Sequence, residues 1–241
     1  MDRRLFIPEV IWDRAADGWL YPVSRSAEPD RWEALVSADA SVITQVDDGA
    51  SERGIFPTCS STAPRLMRQM LAALQVEPGQ RVLEIGTGTG YNAALLASAG
   101  AQVVSVEIDA RLAEHARTTL AAAGFGEQVT VVTGDGEAGA PDWAPFDRVL
   151  ATAAGHTIPY AWVAQAREGA RIVAPYTGPG HSKALFALTV HAGRAEGETV
   201  GEAAFMPLRG QRLTQPELRA LTDTPRLRVI VDADGQQLTR S

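Results

Sequence analysis

Residues 81–97, RVLEIGTGTGYNAALLA, decide the fold. The stretch opens with Arg81 and then β-favouring apolar residues around Glu84, packs Gly86, Gly88 and Gly90 into five positions, and ends in an Ala/Leu run at helical spacing. It reads as strand, tight loop and helix. Glycines at these positions permit positive φ and close approach of the backbone to a ligand, while the helix start contributes unpaired N–H groups and a positive dipole end. The loop departs from the dinucleotide fingerprint G-x-G-x-x-G: Gly86-Thr87-Gly88-Thr89-Gly90 is G-x-G-x-G, with Glu84 two residues ahead of it. A carboxylate there repels a pyrophosphate and attracts an ammonium group.

Two further loops fall where a doubly wound sheet puts its ligand contacts. Residues 101–109, AQVVSVEID, form a buried-type strand ending in Glu107, roughly 20 residues past the glycines, where an acid accepts from ribose hydroxyls. Residues 129–139, VTVVTGDGEAG, form another apolar strand that runs into Gly134-Asp135-Gly136, a turn whose Asp can take an adenine amino group. The string E-x-G-x-G-x-G resembles the first motif of class I S-adenosylmethionine (SAM) methyltransferases. That resemblance implies a SAM site built from Glu84, Gly86, Thr87, Gly88, Gly90, Glu107, Asp135 and Gly136.

The 241 residues, 45% of them hydrophobic, suffice for one substantial core, so an α/β domain with additions is expected rather than two equal domains. A net charge of −7 lacks the electrostatic footprint of a nucleic-acid binder. With a single cysteine, Cys59, neither an intramolecular disulfide nor a zinc cluster is expected, and no metal is called for. Pro8, Glu9 and Asp13 interrupt the apolar run at the start before it could act as a signal-peptide core, and no later run reaches membrane-spanning length. A soluble, cytoplasmic protein is the expectation; oligomeric state is left open.

Along the chain, residues 1–55 read as an extension without sustained periodicity, in which Trp12, Trp19 and Trp32 suit either packing or a peptide-recognition flap. DDGASERG, residues 47–54, has the composition of a mobile loop. Residues 56–210 read as the catalytic α/β domain and 211–241 as an appendage with a short helix from Pro216 and an apolar LRVIVD run. Within the domain the pattern predicts a helix from about Ala63 to Leu74 capped by Thr62, a helix over 110–123, a strand over 146–152, a helix over 158–167 and a strand over 170–176. KALFALTVH (183–191) and TVGEAAFMPL (199–208) read as a β-hairpin closing the sheet. Thr58, Ser60, Ser61 and Thr62 crowd more hydroxyls into five residues than one helix cap requires, which suits orientation of a carboxylate.

The run from Ser60 to Pro207 resembles protein-L-isoaspartate O-methyltransferases: the S/T-x-P helix start, VLEIGTGTGYNAALLA, the GDG turn, APFDRVLATAAGHTIP, REGARIVAP and a closing FMPL. The resemblance implies a Rossmann-like class I methyltransferase sheet, SAM as cofactor, and a peptide or protein substrate carrying an aspartyl or isoaspartyl carboxylate. Where the family usually has I-S-x-P, this chain has Ser61-Thr62-Ala63-Pro64, so the catalytic hydroxyl falls to Thr62, with Ser61 and Ser60 beside it. The first fifty residues look closer to a branch associated with ribosomal peptides cross-linked by ATP-grasp ligases or dehydratases, whose members methylate an aspartate of the modified precursor.

A carboxylate is ionised at pH 7, so its methylation needs alignment in a dry pocket and no general base. His156, in the loop after the fourth strand, therefore has no proton to take, and His115, among charged neighbours on a helix, reads as solvent-facing. The reading is thus a SAM-dependent carboxyl O-methyltransferase acting on a modified ribosomal peptide and leading to succinimide. General repair of isoaspartyl proteins is the runner-up, followed by a small-molecule methyltransferase or a non-catalytic SAM-binding module.

Overall fold

The computed structural model describes residues 1–224 and 226–240. Two sheets organise them. The first is antiparallel, built from β1 (Val10–Arg14), β2 (Leu20–Ser24), β3 (Val42–Val46) and β4 (Pro57–Ser61) in the order β2-β1-β3-β4, with helix α1 (Pro29–Ser37) between β2 and β3 in sequence. Successive residues of a strand face opposite sides of the sheet, and here both sides are covered. Ile11 packs with Ile7, Val23, Trp32, Val36 and Val42, whereas its neighbour Trp12 packs with Leu20 and Val46. Apolar side chains therefore stand next to each other along β1, and the alternation that marks a half-exposed strand is lost.

Trp32 and Trp12 are buried, at 1% and 7% exposure. The tryptophans therefore do not form the recognition wall that the sequence allowed for; only Trp19 is partly open, with the Arg53 guanidinium 4.1 Å above its ring. Strand β4 also carries the first sheet past residue 55, up to the edge of the functional site.

Helix α2 (Pro64–Leu74) leads into the second sheet, burying Met67, Met70 and Leu74. Its N-cap is Ala63, with Pro64 at the first turn and no side-chain cap, so Thr62 lies outside the helix and is not its cap. The second sheet contains β5 (Arg81–Ile85), β6 (Gln102–Glu107), β7 (Val129–Thr133), β8 (Phe146–Ala151), β9 (Ala166–Gly178), β10 (His181–His191), β11 (Arg194–Glu202), β12 (Leu227–Asp232) and β13 (Gly235–Arg240). Their order is β13-β12-β11-β10-β9-β8-β5-β6-β7. The pairings from β7 to β9 are parallel and those from β9 to β13 antiparallel.

Helices α3 (Tyr91–Ser98) and α4 (Ala110–Ala122) pack with α2 on one face, while Phe146, Ile158, Trp162 and Phe186 belong to the core of the other. The chain leaves β5 toward β6 on one side and returns to β8 on the other, so the topological switch lies beside the C-terminal end of β5, where open α/β sheets bind ligands. None of the described helices is long and apolar enough to cross a membrane.

Three elements differ from the sequence reading. The helix expected over 158–167 is only α5 (Tyr160–Ala164), because Phe146 N donates to the Gln165 carbonyl (2.9 Å) and the chain resumes pairing at Ala166. The closing hairpin turns at once, through Ala192 and Gly193 with φ of 51° and 73°, so its second strand is Arg194–Glu202. The residues expected to end that strand leave the sheet instead: Ala154 N donates to Met206 O and Leu208 N to Ala154 O, both at 2.8 Å, making a strap across the β8 loop. The tail strands β12 and β13 extend the same sheet, β12 pairing with β11, rather than standing apart from it.

Candidate active site

A cleft of about 940 Å³, its open mouth included, lies at the C-terminal ends of β5 and β6. One wall is the glycine loop. Gly88 adopts φ 53°, and a Cβ there would meet Cys59 Sγ at 3.3 Å, so the absence of a side chain lets the loop close tightly against β4. The Gly88 N–H donates to Glu107 Oε2 (2.8 Å) and the Asp109 N–H to Glu107 Oε1 (3.0 Å). Glu107 thus sits at the end of β6, 6% exposed, facing the cleft. Burial raises its pKa, while the two N–H donors and Arg209 oppose the rise.

Asp135 and Gly136 line the same cleft. Asp135 Oδ1 accepts from Glu137 N (3.0 Å), and the Gly136 carbonyl accepts from Trp162 Nε1 (2.8 Å). A Cβ on Gly136 would fall 2.5 Å from Ile85 Cγ2, so this turn needs glycine to close on β5. The expected cofactor residues Gly86, Thr87, Gly88, Glu107, Asp135 and Gly136 all face the cleft. Gly90 adopts φ 82° and is the N-cap of α3.

Glu84 is placed differently from the sequence expectation. Its carboxylate does not reach the cleft: it is fully buried under the loop, accepting from Asn92 Nδ2 and Ser105 Oγ, each at 2.5 Å. The Ser105 hydroxyl proton is used there, so the 2.5 Å contact between Thr87 Oγ1 and Ser105 Oγ has Thr87 as donor. Glu84 therefore holds the glycine loop from below and is not itself the partner of a ligand ammonium. Burial pushes its pKa up to about 7, against the hydrogen bonds from Ser105 and Asn92.

The opposite wall is the edge of the first sheet, with Thr58, Cys59, Ser60, Ser61 and Thr62 all lining the cleft. The three candidate hydroxyls are not equivalent. Ser61 is 3% exposed, and its Oγ accepts from Arg3 Nε (3.1 Å) while its carbonyl accepts from Arg3 Nη2 (2.6 Å). Arg3, itself buried, thereby ties the start of the chain to the end of β4. Ser60 and Thr62 are half-buried and carry no such tie among the described residues, which leaves their hydroxyls available to a substrate.

Sequence reasoning missed the remaining wall, formed by Thr152, Ala153 and the strap from Met206 to Arg212. Thr152 Oγ1 donates to the Gly86 carbonyl (2.7 Å), so the β8 loop holds the glycine turn from the side. FMPL is visible as a motif, but read as a strand it gives no sign of lining the cleft. Among the described residues the cleft lining also holds no imidazole, and its one thiol is not an available thiolate. Burial pushes the Cys59 thiol up to about 12, and His156 lies outside the lining, its Nδ1 3.2 Å from Thr157 Oγ1. Such a site suits a nucleophile that arrives as an anion.

A positive-φ glycine loop after the first parallel strand, a buried acid at the end of the second and an Asp turn after the third define a class I SAM-dependent methyltransferase. Comparison with known proteins takes this further: the family model for protein-L-isoaspartate(D-aspartate) O-methyltransferase (PCMT) matches residues 44–213, and the chain belongs to that family.

The protein-L-isoaspartate O-methyltransferase of Methylorubrum populi is 40% identical over 176 residues, 73% of this chain and 81% of its own length. That of Koribacter versatilis is 41% identical over 153 residues, 64% of this chain and 68% of its own. A solved protein-L-isoaspartate O-methyltransferase aligns with a TM-score of 0.64 at 29% identity, covering 72% of this chain and 54% of the other. A Plasmodium falciparum structure of the beta-aspartate methyltransferase (PCMT) type, in complex with S-adenosyl-L-homocysteine, shares the fold at a TM-score of 0.55 and 15% identity, over 63% of this chain and 77% of its own. The protein is a SAM-dependent carboxyl methyltransferase. These matches carry the family but not the ribosomal-peptide branch expected from the first fifty residues.

Proposed function

We propose that the protein methylates the free carboxylate of L-isoaspartyl residues in peptides and proteins, a general repair activity, rather than an aspartate of one dedicated ribosomal peptide. The observation that carries this reading is the match, at about 40% identity over two thirds or more of their length, to relatives named for the isoaspartyl activity. Burial of Trp12 and Trp32 supports it as well, because it removes the aromatic anchors with which one partner would be selected.

Glu107 accepts from the ribose hydroxyls, Asp135 takes the adenine end, and the glycine loop lets the backbone approach the methionine end. Bound SAM supplies an electrophilic methyl group. Thr62 and Ser60 hold the substrate carboxylate by donating to it, and the strap from Met206 to Leu208 keeps water from it. The carboxylate oxygen needs no base, in keeping with the absence of a free imidazole or thiolate in the described lining. The ester is then open to attack by the backbone nitrogen of the next residue, which expels methanol and closes a succinimide ring.

The test is incubation with SAM and matched peptides that differ only in carrying aspartyl or isoaspartyl, over several unrelated flanking sequences, followed by mass analysis. Methyl ester and succinimide on the isoaspartyl set regardless of flanks is the expected result. Methylation confined to one cyclised precursor would return the function to the dedicated-peptide reading.

A further inference from the structure

The turn between β3 and β4 is conformationally unusual. Asp47 and Asp48, neither of them glycine, both adopt left-handed backbone, with φ of 45° and 54°. Asp47 holds the turn in that shape, accepting from Ile55 N (2.8 Å) and Phe56 N (2.9 Å). Asp48 N donates to Thr58 Oγ1 (3.1 Å), which in turn donates to Gln45 Oε1 (2.9 Å). The composition of a mobile loop thus hides a turn tied at both ends.

What this turn presents is the Asp48 carboxylate, directed at the arginines of the strap. Arg212 grips it with two bonds, Nη1 to Oδ2 and Nη2 to Oδ1, each 2.8 Å, and Arg209 Nη2 lies 3.3 Å from Oδ1. Both arginines line the cleft. Arg209 also lies 3.8 Å from Asp109 Oδ2, which accepts from Gln45 Nε2 (3.0 Å), and the Asp109 N–H donates to Glu107. A continuous chain of contacts therefore runs from Arg212 through Asp48, Arg209 and Asp109 to the Glu107 carboxylate. The strap is fixed at its other side as well, since Gln211 Nε2 donates to Glu137 Oε2 (2.9 Å) beside the Asp135 turn.

We propose that Asp48, Arg209 and Arg212 are positioning residues that clasp the first sheet to the strap over the cofactor's ribose, so that cofactor release requires this clasp to open. It acts on Glu107 through Asp109 and touches no reacting atom. Strained backbone kept at a cleft mouth is what a functional constraint looks like, and half-exposed ion pairs contribute little to folding. The side chains of Asp48, Arg209 and Arg212 are 40%, 36% and 44% exposed, open enough for salt to screen them. The proposal rests on the SAM-site reading, and its test separates the two.

The experiment follows dissociation of S-adenosylhomocysteine from the full-length protein by stopped-flow fluorescence, for wild type, D48N, R212Q and the double variant, at about 0.05 M and about 0.5 M salt. D48N and R212Q are each expected to release ligand about 5–10-fold faster at low salt, a loss of about 1–1.4 kcal/mol. The double variant should release no faster than either single one, because both remove the same contact. High salt should speed release from wild type and leave D48N unchanged, while ligand-free unfolding temperatures stay together. Release rates within about twofold of wild type in both single variants, or additive effects in the double, would overturn the clasp while leaving the cofactor site standing. Failure of S-adenosylhomocysteine to bind any of the four would overturn the site reading, and the clasp with it.

Discussion

The two walls of the cleft are built in different ways. The wall proposed for the cofactor consists of loops that each follow directly from one strand: the glycines after β5, Glu107 at the end of β6 and Asp135 after β7. The wall proposed for the substrate is assembled from distant pieces, with Thr58–Thr62 at the edge of the first sheet, Thr152 after β8 and the strap after β11. Local chemistry dictates the first wall, because a fixed ligand demands the same residue types at the same strand ends. Long-range packing dictates the second.

The largest expected effect tests whether the first sheet is core scaffold or recognition surface. Trp32→Ala should cost about 3–5 kcal/mol of stability, as for other buried aromatic truncations, whereas Trp19→Ala at the partly open ring should cost about 1 kcal/mol or less. Chemical denaturation of both variants measures the contrast. If Trp32→Ala were stable and merely lost peptide affinity, the ring would be a recognition element after all.

Next in size is the buried acid under the loop. The folded pKa of Glu84 is raised to about 7 from 4.5, so between these values the native state binds the extra proton. Its contribution is fully present below about pH 4.5 and lost as pH rises through about 7, a change on the order of 3 kcal/mol. Glu84→Gln should flatten that part of the stability-versus-pH curve, measured by urea unfolding from about pH 5 to about pH 8. An unchanged slope in the variant would mean that the acid stays ionised beneath the loop.

Smaller, and confined to the cofactor wall, is Glu107→Ala. Loss of the buried acceptor should weaken S-adenosylhomocysteine binding by roughly 1–3 kcal/mol in calorimetry. Unchanged affinity would remove Glu107 from the ribose site and blur the division between the two walls.

The same division explains what the sequence makes legible. Residues 81–97 announce strand, loop and helix because each signal is local, and Glu107 and Asp135 follow from their spacing along the parallel sheet. The role of Glu84 is hidden because its partners Asn92 and Ser105 come from a helix and the neighbouring strand, and only the fold shows that they enclose it. The first sheet escapes notice because Ile11 and Trp12 bury on opposite faces, which erases the two-residue period. Residues 203–208 are apolar enough to continue a strand, and Ala203 N still donates to Lys183 O of β10, but Met206 and Leu208 turn their backbone to Ala154 instead, a choice made by tertiary contact. Thr62 looks like a helix cap from its position before Ala-Pro, but the helix begins at Pro64 with Ala63 as its cap, which leaves the Thr62 hydroxyl to the cleft.

That hydroxyl carries the central claim, that the edge of the first sheet orients a carboxylate opposite the cofactor loop. The most direct measurement is single-turnover methylation of an isoaspartyl peptide by wild type, Thr62→Ser and Thr62→Ala, with S-adenosylhomocysteine affinity determined in parallel. Thr62→Ala should be slower by ~100-fold, the scale of a misaligned reactant, with cofactor affinity unchanged and Thr62→Ser close to wild type. A Thr62→Ala enzyme that turns over at the wild-type rate would contradict the account.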